Sequence, residues 1–328
     1  MKIEPGSLAT LTESLQARVE LSYKQDVQLA AKAFGRKTRS AWFPDTGPIV
    51  NGDDAAALEH DGTYLLLAAE GMRGEFVDAD PWFAGFCSVM TNVNDIVATG
   101  GRPWAIVDVL FLGSGDNARL LDGMAAASST FGIPIVGGHT TRVSQASMLA
   151  VAVVGRATHL ISSHAARPGQ IVVMAVALDG TFRGNGGNFN AATASAPRRL
   201  QAQLAVLPEL AENGLVAAGK DISMAGLCGT LLMLIETSGC GAQIDVGRVP
   251  APKGVDPLRW LTAFPSFGFL LAVDPERLAP VRARFDAAGV TCEAVGKITT
   301  SARLDLLYED EQTTYWDLQA RSLTGFGS

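Results

Sequence analysis

No apolar run in this sequence is longer than a β-strand. The two most continuous, "IVVMAVAL" at 171–178 and "MLAVAVVG" at 148–155, fall far short of the ~18 residues that cross a bilayer. Runs of this length, rich in β-branched residues, suit strands buried in a sheet. Between such runs lie longer stretches with helical spacing. One is "PWFAGFCSVMTNVNDIVAT" at 81–99, which Asp80 precedes as an N-cap and Pro81 opens. Strands alternating with helices along the whole chain predict an α/β or α+β fold.

At 328 residues the chain exceeds what one average core supports, so two domains are expected. The polar, Pro- and Gly-bearing stretch "THLISSHAARPG" at 158–169 reads as their linker. That gives a first domain at 1–157 and a second at 158–328. Residues 8–34 read as helical, broken near Ser22–Tyr23, and a basic loop follows at 35–48. Strands at 54–58 and 63–69 form a hairpin-like pair through "HDG". The Gly- and Asn-rich stretch 179–197 reads as a mobile loop, too poor in bulky apolar residues for a core.

The formal charge of −7 argues against a nucleic-acid groove or an anionic membrane surface as the main partner. Cys87, Cys228, Cys240 and Cys292 form no Cys-x-x-Cys pair, and the first twenty residues lack the apolar core of a secretory signal. Buried free thiols in a reducing cytoplasm are the expectation.

Four short stretches carry polar residues where the surroundings are apolar or small. Asp53–Asp54 follow a Gly-bearing turn; they read either as a solvated turn or as a hard-cation site, with Glu70 at the end of the next strand. On a strand, only one of two adjacent carboxylates faces a given site. Asn92 and Asp95, three apart, share a face of a helix otherwise built for close packing. "IPIVGGHTT" at 133–141 ends a strand in two glycines before His139, Thr140 and Thr141. It is either a turn or a place where backbone N–H groups meet phosphate oxygens. Asp221 precedes an apolar helix, as its N-cap or as a metal ligand near phosphates.

In this order and spacing the four stretches resemble the superfamily of aminoimidazole ribonucleotide (AIR) synthetase, which also holds selenophosphate synthetase and thiamine-monophosphate kinase. Its members share an Asp-Asp-Ala-Ala start, an Asn-x-x-Ser-Asp helix, a Gly-Gly-(Asp/Glu/His)-Thr turn and an Asp-(Val/Ile)-Ser-x-Gly-Gly-Leu helix start. Here these are Asp53–Leu58, Asn92–Pro103, Gly137–Thr140 and Asp221–Leu227. The resemblance implies a two-domain fold, an N-terminal mixed-sheet ATP-binding domain followed by an α/β domain. It also implies an ATP- and Mg2+-dependent enzyme acting on a small molecule. Asp54, Asp95 and Asp221, with Glu70, are then the metal ligands, and Asp53 a capping group. Asn92, Asp95, Gly137, Gly138 and Thr140 are the nucleotide-binding candidates. His139 and Lys37 are the catalytic candidates, Lys37 on a basic lid. Relatives pair through their N-terminal sheets, so a homodimer is implied.

No specialised branch fits the departures. The chain has no cysteine before Cys87, where selenophosphate synthetase carries cysteines near its N-terminus. His139 and Met224 replace acids that the thiamine-monophosphate kinase branch has. An AIR-synthase-related branch with its own substrate is the leading expectation, a nucleotide-binding scaffold that has lost catalysis is the alternative, and a kinase like thiamine-monophosphate kinase or selenophosphate synthetase is the second alternative.

Overall fold

The computed structural model describes residues 1–143, 147–184 and 186–327. Three helices lead, α1 (Leu8–Gln16), α2 (Val19–Gln25) and α3 (Val27–Phe34), followed by a ribbon of β1 (Lys37–Thr38) and β2 (Ile49–Val50). A hairpin of β3 (Ala56–His60) and β4 (Thr63–Met72) comes next, then α4 (Gly74–Ala79) and α5 (Pro81–Ala98). The first half closes with β5 (Arg102–Leu112), α6 (Asn117–Phe131), β6 (Ile135–Arg142) and β7 (Met148–Ala157). Its sheet runs β3-β4-β7-β5-β6, antiparallel except for the β5–β6 pair.

The second half begins with β8 (Ile171–Val176), β9 (Thr181–Phe182), β10 (Asn188–Asn190), α7 (Pro197–Glu212) and β11 (Ala218–Asp221). It continues through α8 (Gly226–Ser238), β12 (Gly241–Asp245), α9 (Pro257–Leu261), β13 (Phe264–Pro265) and β14 (Gly268–Val273). Last come α10 (Leu278–Ala287), β15 (Thr291–Thr299), β16 (Arg303–Tyr308) and β17 (Glu311–Asp317). The main sheet runs β11-β14-β8-β15-β12-β16-β17, and only β12–β16 is parallel. This is the mixed α/β architecture that the alternating pattern predicts, built on two main sheets beside the β1–β2 ribbon and a small sheet of β13, β10 and β9.

Helix α5 joins the halves. Every residue from Phe83 to Ala98 is buried, because the helix lies between the first sheet and the elements α7 and β11. A helix buried on all sides has no solvent face to offer, so a charge on it must be satisfied internally. It packs very closely on α6: a Cβ at Gly85 would strike the Leu120 carbonyl, and one at Gly123 the Trp82 carbonyl. The expected cap is present, with Asp80 accepting from the Phe83 N–H at 3.4 Å.

Several expectations are corrected. The leading helices break at Ala17–Arg18 and Asp26 rather than at Ser22–Tyr23. They do not belong to the first sheet's core: Leu8, Leu15 and Leu21 pack among residues of the second half. Gln16 donates to the Tyr315 carbonyl at 2.6 Å, and the Met1 ammonium to Gly247 and Val249 carbonyls at 2.8 and 3.0 Å. Within the stretch 179–197, β9 and β10 pair and join β13 in a small sheet. Phe189 on β10 is 2% exposed and meets Trp260 edge-on at 5.0 Å, and Phe182 on β9 packs edge-on against both, so two aromatics anchor a segment otherwise poor in apolar bulk. Strands β11 and β17 escaped the sequence reading; β11 is four residues long and ends in Lys220–Asp221, which hides its strand character.

Candidate active site

The acidic residues of three separate stretches meet at one end of α5. Asp54, Asp95 and Asp221 each offer a carboxylate oxygen, and these oxygens all lie within 4.8 Å of one another. Asp54 comes from the bend ahead of β3, Asp95 from α5, and Asp221 from the last position of β11. The adjacent acids diverge for a reason other than strand alternation, since both precede the strand. Asp53 turns back as a cap: its carboxylate accepts from Ser162 Oγ at 2.6 Å and from the Ser163 N–H at 3.1 Å. Asp54 turns inward, where its Oδ2 accepts from the Asp221 N–H at 3.3 Å.

Asp95 and Asp221 are 7% and 5% exposed, and so many acids at this depth repel one another. Burial first, then Asp221, Glu70 and Asp54, push Asp95 well above the usual carboxylate range. Burial likewise raises Asp221 and Glu70, offset for Asp221 by Lys220 and for Glu70 by Lys24. Burial raises Asp54 to about 8, with Lys220 opposing. One cation sits in the cluster: Lys220, adjacent to Asp221, makes a direct ion pair with Asp54. Burial would lower the Lys220 pKa, but Asp54, Asp221 and Asp53 outweigh it and hold the ammonium charged. Lys220 and, on Glu70 and Asp221, Lys24 face the four acids Asp54, Glu70, Asp95 and Asp221, so the cluster when ionised is still short of cations. Hard carboxylate oxygens in excess suit a small divalent ion such as Mg2+.

The cluster forms the floor of a cavity of about 530 Å3. Thr91 and Cys87, one and two turns before Asp95, continue its wall along α5. Lys24 and Arg73 supply positive charge, and Met72, Phe76, Met224, Phe264 and Phe326 supply apolar surface. That mix of convergent charges and apolar walls is the usual make-up of a small-molecule site. Arg73 also lies 4.9 Å over the Tyr23 ring, which ties α2 to the rim.

The remaining sequence-based candidates lie elsewhere. Asn92 is fully buried and absent from the cavity wall; its Nδ2 donates to the Ser88 carbonyl at 2.8 Å, inside its own helix. Asp221 is not a helix cap, since α8 begins five residues later. Gly137, Gly138, His139 and Thr140 are not at a strand end. They continue edge strand β6, which pairs with β5 as far as Arg142, and they are exposed away from the cavity. Lys37 is exposed on the β1–β2 ribbon and does not line the cavity within this chain. Sequence reasoning missed Lys220, Lys24 and Arg73. For Lys220 a signal existed: opposite charges side by side at the end of the apolar stretch Val216–Asp221.

Comparison with known proteins agrees with this architecture. The model of the AIR synthase related protein N-terminal domain matches residues 52–157, and that of its C-terminal domain matches 169–309. An uncharacterised protein of Synechocystis sp. is 45% identical over 97% of this chain and 98% of its own length. The structure of Thermotoga maritima PurL complexed with AMPPCP superposes with a TM-score of 0.72 at 20% identity over 95% of this chain. This chain spans about half of that PurL, 51% of its length. AaThiL complexed with AMPPCP and TMP gives 0.65 at 18% identity, over 88% of this chain and 96% of that one. No described helix is long and apolar enough to cross a membrane. With both of its domains matched in order, the chain belongs to the AIR synthase related family.

Proposed function

We propose that the chain is a Mg-ATP-dependent enzyme that phosphorylates, or activates through a phosphorylated intermediate, a small-molecule acceptor. The observation that carries this reading is the convergence of Asp54, Asp95 and Asp221 beside a cavity of about 530 Å3 that also holds cations. In this reading those three acids hold Mg2+, and Glu70 stands open to the cavity beside them. The ion, when bound, supplies charge neutralisation on phosphate oxygens. Lys220 fixes Asp54 by its ion pair and keeps the floor from flying apart by repulsion. Lys24 and Arg73 face phosphate charge from the wall. Phosphoryl transfer asks mainly for positioning and electrostatic stabilisation, which such a set provides without a covalent nucleophile. Structures of T. maritima PurL and AaThiL with AMPPCP support the choice of nucleotide.

The test is direct: calorimetric titration with Mg2+ and AMPPCP, then ADP release from ATP over a panel of small acceptors. Saturable binding with acceptor-dependent ADP release is expected. Tight binding with no turnover under any acceptor would favour the scaffold reading, toward which the Met224 replacement points.

The same reading includes a homodimer. Among the described residues, the face of the first sheet turned away from α5 and α6 exposes apolar side chains. Leu67, Val107, Val109 and Met148 are 37–48% exposed on it, and His139 points to the same side by its pairing with Val109. An exposed apolar sheet face of this kind marks an interface, and twofold pairing is its simplest closure. Sedimentation at micromolar concentration should give twice the 34.4 kDa chain mass; a monomer would refute the pairing.

A further inference from the structure

Glu236, on α8, is 4% exposed, and burying a carboxylate is costly unless its oxygens are met by donors. One short stretch supplies those donors. The Leu323 and Gly325 N–H groups donate to Oε1 at 2.7 and 3.3 Å. The Thr324 N–H and hydroxyl donate to Oε2 at 2.8 and 2.6 Å. From the other side Gln28 of α3 donates to the Ser322 and Leu323 carbonyls at 3.3 and 2.9 Å, and the Leu323 side chain is fully buried. The backbone is therefore gripped from two helices up to Gly325.

The next residue is Phe326, half-buried and lining the cavity. Its ring lies on Gly52. A Cβ at Gly52 would stand 2.7 Å from the Phe326 Cγ, and the φ of +101° there also excludes other residues. Gly52 opens the turn that carries Asp53 and Asp54, so an aromatic ring is held at the edge of the acidic floor. Of the other aromatic groups on the cavity wall, Phe76 packs edge-on against Phe83 at 5.9 Å.

Building on the nucleotide reading above, we propose that the segment Leu323–Phe326, latched by Glu236, is the recognition wall of the cavity. Phe326 is the surface on which the planar base of the nucleotide packs. Stacking on a phenyl ring needs only the π-face that every base has, so this wall senses the presence of a base and not its identity. Metal and phosphates remain the business of the acidic floor.

Titration of the full chain with Mg-AMPPCP and with Mg-tripolyphosphate separates the two parts. Phe326→Ala should weaken AMPPCP about tenfold, on the scale of one base–aromatic stack, and leave tripolyphosphate within about twofold. Phe326→Tyr keeps the ring and should bind both as wild type does. Asp221→Asn should weaken both. Unchanged AMPPCP affinity in Phe326→Ala would overturn the proposal. So would equal loss of both ligands by a variant whose melting curve matches wild type, because the ring would then only shape the floor. A wild-type chain that binds neither ligand would instead defeat the Mg-nucleotide reading itself.

Discussion

The floor and the cover of the cavity are built in opposite ways. The floor takes Asp95 from a helix buried on every side and Lys220–Asp221 from a buried strand, so its charges sit on elements that cannot move independently. The cover takes Lys24 and Val27 from α2 and α3, and Thr324 and Phe326 from the segment beyond β17. Helix α3 has no buried residue of its own. Fixed geometry suits the groups that must hold a metal and position phosphate. The lightly anchored α3 suits groups that close over a ligand and let it leave, whereas Thr324 and Phe326 ride on a segment that Glu236 holds in place. The difference teaches where each kind of substitution should be felt.

The largest effect should come from the floor. Asp95→Asn and Asp221→Asn should each weaken Mg2+ binding at least about a hundredfold by calorimetry. Each should also raise the melting temperature of the metal-free protein near pH 8, because a repelling buried charge is gone. A metal-free variant less stable than wild type there would contradict the reading of the cluster as an unbalanced acid set. Lys220→Met is the converse. Removing the one cation strands the acids, at a cost of about 3 kcal/mol in denaturant titrations without metal. Saturating Mg2+ should restore a large part of that loss.

The cluster should also make the action of Mg2+ depend on pH. Asp54, raised from 3.8 to about 8, holds its proton more tightly in the folded chain than in the unfolded one. Its stabilising contribution is therefore complete below the unfolded value and is lost as pH rises toward about 8. Mg2+ competes with that proton, so the rise in melting temperature on adding it should be greater at pH 8 than at pH 5.5. Equal rises at both would mean that the metal binds elsewhere.

The smallest effects belong to the cover and sharpen the contrast with the β1–β2 ribbon. Lys24→Ala should weaken AMPPCP roughly fivefold with little change in stability, as the loss of one partly solvated cation beside phosphate implies. Lys37→Ala should change affinity and turnover by less than about twofold, because that side chain is exposed outside the cavity. Larger loss from Lys37→Ala than from Lys24→Ala would return the basic ribbon to the site.

The sequence by itself determined the parts governed by local rules. Strand-length apolar runs and the Asp80–Pro81 start of α5 were enough to indicate two α/β units, and the resemblance carried by the order of four short motifs singled out Asp54, Asp95 and Asp221. Tertiary structure decided the rest. Whether "GGHTT" turns or extends depended on β5 offering a partner edge, which no local propensity encodes. Asn92 shares a helical face with Asp95 on a wheel, yet packing places only Asp95 at the cavity. Lys24, Glu236 and Phe326 stand from about ninety to about three hundred residues apart, and each looks like an ordinary surface or core residue in its own neighbourhood. Lys24 reaches the cavity that Phe326 also lines because α1 and α2 pack on the second half, and that choice rests on non-local burial of Leu8, Leu15 and Leu21, to which a one-dimensional pattern is blind.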